Sequence, residues 1–225
     1  MYLYGASGHG KVIKEILDAQ NRDVEGFVDD NLEIEALCGL PVLHSVENID
    51  EMIVSIGSNP IRKKIVNRLN IEYSKAAIHP SAIISPSSEV GEGSVIMAGS
   101  ILNAEVKVGK HCIINTNASI DHECIIDDFV HIAPHAAICG QVIIGEGTLV
   151  GVNASVIPRV KIGKWCVIGA GSVVVDDIPD GYLAYGNPCK LIRIINSIPS
   201  QWGGGRSILF LFTFGKRKDL MSIMS

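Results

Sequence analysis

Residues 114–144 read INTNASIDHECIIDDFVHIAPHAAICGQVII, and every sixth residue is aliphatic: Ile114, Ile120, Ile126, Ile132, Ile138, Ile144. The series extends in both directions without a slip, back to Ile78 and on to Val174. Four residues after each member sits a second small or aliphatic residue, among them Ala118, Cys124, Val130, Ala136 and Val142. An α-helix repeats every 3.6 residues and a lone strand every 2, so neither produces a period of six. Six is the period of a parallel β-helix built from hexapeptides. Three hexads make one triangular coil with the aliphatics inside, and successive coils pair as parallel strands. Seventeen hexads predict between five and six coils, a prism roughly 27 Å long at about 4.8 Å per coil. Positions three hexads apart should therefore be stacked. The second hexad position is often Gly, Asn or Asp (Gly91, Asn103, Gly109, Asn115, Asp121, Gly145), which predicts that the demanding backbone of each corner falls there.

Upstream of the repeat the pattern changes. MYLY (1–4) reads as a short buried strand, followed by Gly5-Ala6-Ser7-Gly8-His9-Gly10 and apolar residues at helical spacing, Val12, Ile13, Ile16 and Leu17. Residues 24–28 and 52–56 predict two further strands, and Gly57-Ser58-Asn59-Pro60 opens a helix over 61–69, with proline in its first turn. Strand–helix–strand alternation predicts a small Rossmann-like parallel α/β unit over residues 1–75. The β-helix is expected over 76–195. Residues 196–225 fit neither pattern: three glycines, an apolar stretch over 208–214 and a basic GKRKDL, with no role assigned.

Composition narrows the function. A net charge of −5 and a pI near 5.8 argue against nucleic acid as a partner. The opening has no basic leader or long apolar core, and no run is as long and apolar as a membrane span, so a cytoplasmic protein without stable membrane insertion is expected. The six cysteines form no C-x-x-C. Cys112, Cys124 and Cys166 fall on the small inward position and are expected as reduced, packed thiols.

Two places carry chemistry. The Gly5–Gly10 loop lies between a strand and a helix, where backbone N–H groups and the helix dipole receive phosphate. Its G-x-x-G-x-G spacing is not the dinucleotide fingerprint. Asp29-Asp30 lies about 20 residues on, where a sugar hydroxyl is often held. The second place is Asp121-His122-Glu123, where a carboxylate can orient the imidazole and raise its basicity for general-base work. Gly140 follows His122 by three hexads, so it should stand one coil above and leave its backbone N–H open. His131 is half a coil away from His122, so one subunit does not easily bring the two together, whereas an interface between neighbouring prisms could. No two of His111, His122, His131 and His135 are separated by whole coils. No stacked imidazole ladder for zinc is therefore expected, nor any other metal site.

Taken together, GASGHG, VDD, IGSNPIRKK, HPSAIISPS, INTNASIDHEC, HAAICGQV, GVNASVIP, IGAGSVV and YGNPCKLIR resemble the NeuD/PglD type of bacterial sugar acetyltransferases, over about residues 2–195. The resemblance implies a left-handed β-helix and acetyl-CoA as co-substrate. It implies acetylation of a nucleotide-linked amino sugar or of sialic acid, and a homotrimer with active sites between adjacent prisms. Carried over residue by residue, His122 matches the catalytic base and Glu123 the carboxylate that raises its basicity. His131, Gly140, Val152, Ala170 and Lys190 match positions around acetyl-CoA. Ser7, Gly8, His9, Asp29, Asp30 and Gly57 match the nucleotide-sugar site. N-acetylation through direct transfer is the expected reaction. The alternatives are sialic acid O-acetylation and a non-catalytic β-helix that binds sugar nucleotides. Cys189 stands where the family's closing G-x-P-A-K has alanine, and the tail after Asn196 departs from the family's pattern.

Overall fold

The computed structural model describes residues 1–69 and 71–195. The expectation of an unassigned tail over 196–225 lies outside them. The chain opens with β1 (Tyr2–Tyr4), α1 (Gly8–Ala19) and β2 (Gly26–Val28), then β3 (Ala36–Leu37), β4 (Leu40–Leu43), β5 (Glu51–Val54), α2 (Asn59–Arg68) and β6 (Glu72–Tyr73). The sheet order is β3-β4-β2-β1-β5-β6, and every pairing is parallel except the β3–β4 hairpin. The expected strands and helices are present with ends shifted by one or two residues. Residues 55–56, expected in a strand, lie beyond β5. The β3–β4 hairpin and β6 have no counterpart in the sequence pattern, because strands this short leave too little period to read.

The two faces of this sheet are covered differently. On one side, Ile13, Ile16 and Leu17 of α1 pack with Leu3 and Phe27, and the same cluster continues into Ala77, Val95, Met97 and Ile113 of the β-helix. On the other, Ile65 of α2 closes over Tyr4, Val28, Met52 and Val54.

Seventeen two-residue strands follow, from β7 (Ala77–Ile78) to β23 (Val173–Val174). They pair in parallel at a register of three hexads, as Ala77↔Val95, Val95↔Ile113 and Ile113↔His131. The first face begins with β7, the second with β8 (Ile83–Ile84) and the third with β9 (Glu89–Val90). The hexad aliphatics and their small partners form one continuous core from Ile96 to Ile178, closed at its end by Ala184 and Cys189. Burial of each aliphatic contributes about 1.5–3 kcal/mol. Polar members of the inward column are satisfied internally. Ser94 Oγ donates to the Gly109 carbonyl at 2.8 Å and accepts from Cys112 N–H at 2.9 Å, and Thr148 repeats both bonds with Gly163 and Cys166. Cys112, Cys124 and Cys166 are buried thiols, as expected. The final coil is shortened, so that Leu183 rather than Tyr185 pairs with Val167, and the antiparallel hairpin β24 (Tyr182–Gly186) and β25 (Cys189–Ile194) ends the first face.

The expectation for the corners is corrected. The left-handed residue is not the second of the hexad but the fourth, at every corner from Gly93 (φ 66°) through His111 (54°), Glu123 (60°) and Gln141 (63°) to Gly171 (65°). The glycines at the second position are there for another reason. A Cβ on Gly91 would stand 2.6 Å from the backbone of Gly109, and one on Gly145 would stand 2.7 Å from that of Gly163. At these glycines neighbouring coils approach too closely for a side chain.

Candidate active site

His122 and its neighbours occupy the corner between the second face (Ser119–Ile120) and the third (Ile125–Ile126). The side chain is exposed, and its Nδ1–H donates to Glu123 Oε2 at 2.9 Å. A carboxylate only accepts, so in the neutral ring the proton sits on Nδ1 and the lone pair on Nε2. Glu123 reaches back to the preceding ring because its own backbone is left-handed. The His122 ring, followed by Gln141 N–H, holds its carboxyl below the usual carboxylate range. Asp121 Oδ1 accepts from His122 N–H at 2.8 Å and from Asn103 Nδ2 at 2.9 Å, which anchors the backbone from beneath.

Gly140 is one coil above, as the stacking rule predicted. A Cβ there would lie 2.6 Å from His122 Nε2 and 2.7 Å from Cε1, so only glycine leaves the ring in place. Among the described residues no acceptor takes the Gly140 N–H. A lone pair and an unclaimed N–H thus meet at one exposed corner. The nearby Cys124 thiol is unsuited to nucleophilic work. It donates to the Cys139 carbonyl at 3.1 Å, and burial pushes its pKa up to about 11.

The other expected site residues lie elsewhere on the molecule. His131 is on the first face, beneath the α/β unit. Its Nε2 accepts from Asn115 Nδ2 at 3.1 Å, and burial, with the Arg62 guanidinium second, pushes its pKa down to about 3. Val152 and Ala170 stack one coil apart on the corner between the first and second faces, with Gly171 N–H donating to the Val152 carbonyl at 2.8 Å. Lys190 is exposed on β25. Within one chain these residues do not converge on His122.

The loop from Gly5 to Gly10 turns from β1 into α1. Ser7 is the N-cap and makes no side-chain cap bond. Gly10 is structural, since a Cβ would stand 2.5 Å from the Gly5 carbonyl, whereas no described residue lies within 4 Å of one on Gly8 or Gly57. His9 Nε2 is sealed from solvent without a hydrogen-bond partner among the described residues, and burial pushes its pKa down to about 4. Asp29 clasps the loop, its Oδ2 accepting from Ala6 N–H at 2.8 Å and its Oδ1 from Asn31 N–H at 2.9 Å. Asp30 accepts from Tyr4 OH at 2.6 Å and pairs with Arg68 at 3.3 Å.

Two features escaped the sequence reading. Arg62 of α2 is 1 % exposed and bridges the two parts of the chain. Its Nε donates to the His111 carbonyl at 2.8 Å, one Nη to Ile56 O at 2.8 Å and the other to Phe129 O and Asn59 Oδ1, each at 2.9 Å. Among the described residues no carboxylate is involved, and burial pulls its pKa down to about 10. The second feature is the set of residues stacked over Glu123, Gln141 and Arg159, which the stacking rule points to. Among the described residues no group of three or more His, Cys, Asp or Glu is placed to hold a metal, and no helix is long and apolar enough to cross a membrane.

Comparison with known proteins agrees with this architecture. The PglD N-terminal domain model matches residues 1–69, and the bacterial transferase hexapeptide (six repeats) model matches 141–176. PerB from Caulobacter crescentus, solved in complex with CoA and GDP-perosamine, is 37% identical with a TM-score of 0.80, covering 85% of this chain and 96% of that one. The acetyltransferase domain of PglB from Neisseria gonorrhoeae FA1090, in complex with acetyl coenzyme A, is 35% identical with a TM-score of 0.77, covering 85% and 98%. The UDP-N-acetylbacillosamine N-acetyltransferase of Bacillus subtilis (strain 168) is 39% identical over 110 residues, 43% of this chain and 50% of that protein. That match spans about half of the relative's length. An α/β unit followed by a hexapeptide β-helix, matched to solved relatives over nearly their whole length, shows that the chain belongs to the NeuD/PglD type of hexapeptide-repeat sugar acetyltransferases.

Proposed function

We propose that the chain transfers the acetyl group of acetyl-CoA to the amino group of a nucleotide-linked amino sugar, with His122 as general base. The observation that carries this reading is the His122 ring itself, locked with Nδ1–H on Glu123 and its Nε2 lone pair against Gly140. The sugar amine attacks the thioester carbonyl, a C–N bond forms, and His122 Nε2 takes the nitrogen's proton. Gly140 N–H donates to the oxyanion. The C–S bond then breaks, and the proton returns to the departing thiolate. Direct transfer is favoured because the Cys124 thiol beside the base is buried and engaged. The solved relatives bind CoA with GDP-perosamine or acetyl coenzyme A. Together with the N-acetyltransferase of Bacillus subtilis, they favour N-acetylation over the sialic acid alternative.

The acceptor is assigned to residues 1–75, with Ser7, Gly8, His9 and Gly57 around it. Asp29 and Asp30 shape the loop's edge as well as offering acceptors. The donor is assigned to Gly140, His131, Val152, Ala170 and Lys190. These sets support a homotrimer. The α/β unit sits on the first face of the prism, and the His122 corner is the one opposite that face, so the two halves of a site can meet only between subunits. The second face has the uncharged surface such packing needs, with Ile83, Ile101, Ser119, Ala137, Ser155 and Val173 outermost. A cytoplasmic setting accords with six free cysteines.

The test is acetyl-CoA-dependent thiol release with a panel of nucleotide-linked amino sugars, run against sialic acid. Release with at least one amino sugar is expected. Release with sialic acid alone would move the assignment to O-acetylation, and none with any acceptor would leave a binding protein.

A further inference from the structure

The His122 corner belongs to a column of left-handed residues one coil apart, Glu105 below it, then Glu123, Gln141 and Arg159, with φ of 61°, 60°, 63° and 67°. Three of them are joined in series. Glu123 Oε2 accepts from Gln141 Nε2 at 3.0 Å as well as from His122 Nδ1, and Gln141 Oε1 accepts from Arg159 Nε at 3.0 Å. The chemistry fixes the amide's orientation. A guanidinium only donates and a carboxylate only accepts, so the Gln141 oxygen must face Arg159 and its NH₂ must face Glu123. Neither Glu nor Lys at 141 could serve both neighbours. Glu123 and Arg159 are two coils apart, about 9.6 Å at about 4.8 Å per coil, so the amide is the link between them.

We infer that Gln141, backed by Arg159, is a positioning residue for the proposed proton transfer, holding the Glu123 carboxylate on His122 Nδ1. This rests on the reading of His122 as the base. Glu123 is 48% exposed and His122 52%, so burial does not fix either side chain. A half-exposed glutamate left free samples several rotamers, and each departure from Nδ1 releases the ring to the tautomer that carries its proton on Nε2. In that tautomer no lone pair faces the substrate amine. The bond from Gln141 opposes this from the far side of the carboxylate. A surface ladder with no such role adds little to stability and leaves the ring's tautomer unaffected.

The experiment uses the full chain with Gln141→Met, Arg159→Met, Glu123→Ala and the Gln141→Met/Glu123→Ala double variant. Thermal unfolding, kcat, both KM values and the ¹⁵N imidazole resonances of His122 are measured. Gln141→Met is expected to lower kcat about three- to tenfold, the rate equivalent of one hydrogen bond. Both KM values and the unfolding temperature should hold. The Nδ1–H signature of His122 should give way to averaged tautomer shifts. Arg159→Met should do the same more weakly, and in the Glu123→Ala background Gln141→Met should cost nothing further. An unchanged kcat and tautomer in Gln141→Met, or an equal loss with and without Glu123, overturns the inference. The two readings fail separately. If wild-type protein releases no thiol with any acceptor, the acetyltransferase reading falls, whereas the tautomer measurement needs no substrate and still decides the role of Gln141.

Discussion

In the proposed reaction His122 serves as base because its neighbours leave its position few alternatives: Glu123 fixes the proton, Asp121 the backbone, and Gly140 the space. A positioned histidine contributes about 10²–10⁴-fold to such a step, so His122→Ala should lower kcat by that order with both binding constants nearly unchanged. Glu123→Ala should act in the same direction but less strongly. Steady-state kinetics at neutral pH checks both, and the His122→Ala loss should shrink at high pH, where free amine is abundant. Gly140→Ala is a sharper probe. Its methyl would stand 2.6 Å from Nε2, so kcat should fall while the unfolding temperature holds, because the clash is with an exposed ring. Gly8→Ala meets nothing among the described residues. A rise in acceptor KM with acetyl-CoA binding intact would place the acceptor at this loop, and loss of acetyl-CoA affinity instead would remove that assignment. The dyad and its glycine were legible because they are sequence neighbours or one coil apart. Gln141 and Asn103 obey the same stacking rule, but nothing in their own residue types marked them.

At the level of the element, the hexad series dictates the strands and their register, since any slip would put an aliphatic row into water. The corners were harder to read. Left-handed backbone usually advertises itself as Gly or Asn, yet here His111, Phe129, Arg159 and Trp165 adopt it as well, held by N–H bonds to the coil beneath such as Phe129 N–H to Lys110 O at 2.9 Å. The second-position glycines mark close coil contacts instead. Gly145→Ala should therefore cost about 1–3 kcal/mol of stability through backbone displacement, measured by urea unfolding. Asn153→Gly, at φ 54°, should be nearly neutral. Arg62 was illegible for a different reason, because a charge on a short helix is assumed to be solvated. Arg62→Met strands carbonyls at His111, Phe129 and Ile56, each worth about 1–3 kcal/mol when buried without a donor. Urea unfolding should show a loss of at least that size, and hydrogen exchange should rise first across α2 and around His111 and Phe129.

Across the whole molecule, the junction between the α/β unit and the prism holds three histidines in the neutral form. His111 lies between Tyr73 and Phe129, with ring centroids 4.6 and 5.1 Å away. Burial, aided by Arg62, pushes its pKa and that of His9 down to about 4, and that of His131 to about 3. The unfolded chain protonates such rings near pH 6.5. Between about 6.5 and 4 it therefore binds more protons than the folded one, and stability falls as pH falls. The urea midpoint should drop from pH 7.5 to pH 5, and His111→Asn should flatten that slope by close to one proton. A pH-independent midpoint would contradict the buried neutral rings. The placement of the α/β unit opposite the His122 corner also has a genetic consequence. If each site joins one chain's loop to the next chain's base around a closed ring of three, two different dead chains can restore one another. His122→Ala keeps a sound loop, and Gly8→Phe, which fills the loop, keeps a sound base. Co-expressed in equal amounts, they should place both intact halves together at about a quarter of the sites. Turnover near that fraction of wild type, from parents that are each nearly silent, would count the subunits' contributions without any structure of the assembly, and a mixture as silent as its parents would mean that each chain works alone.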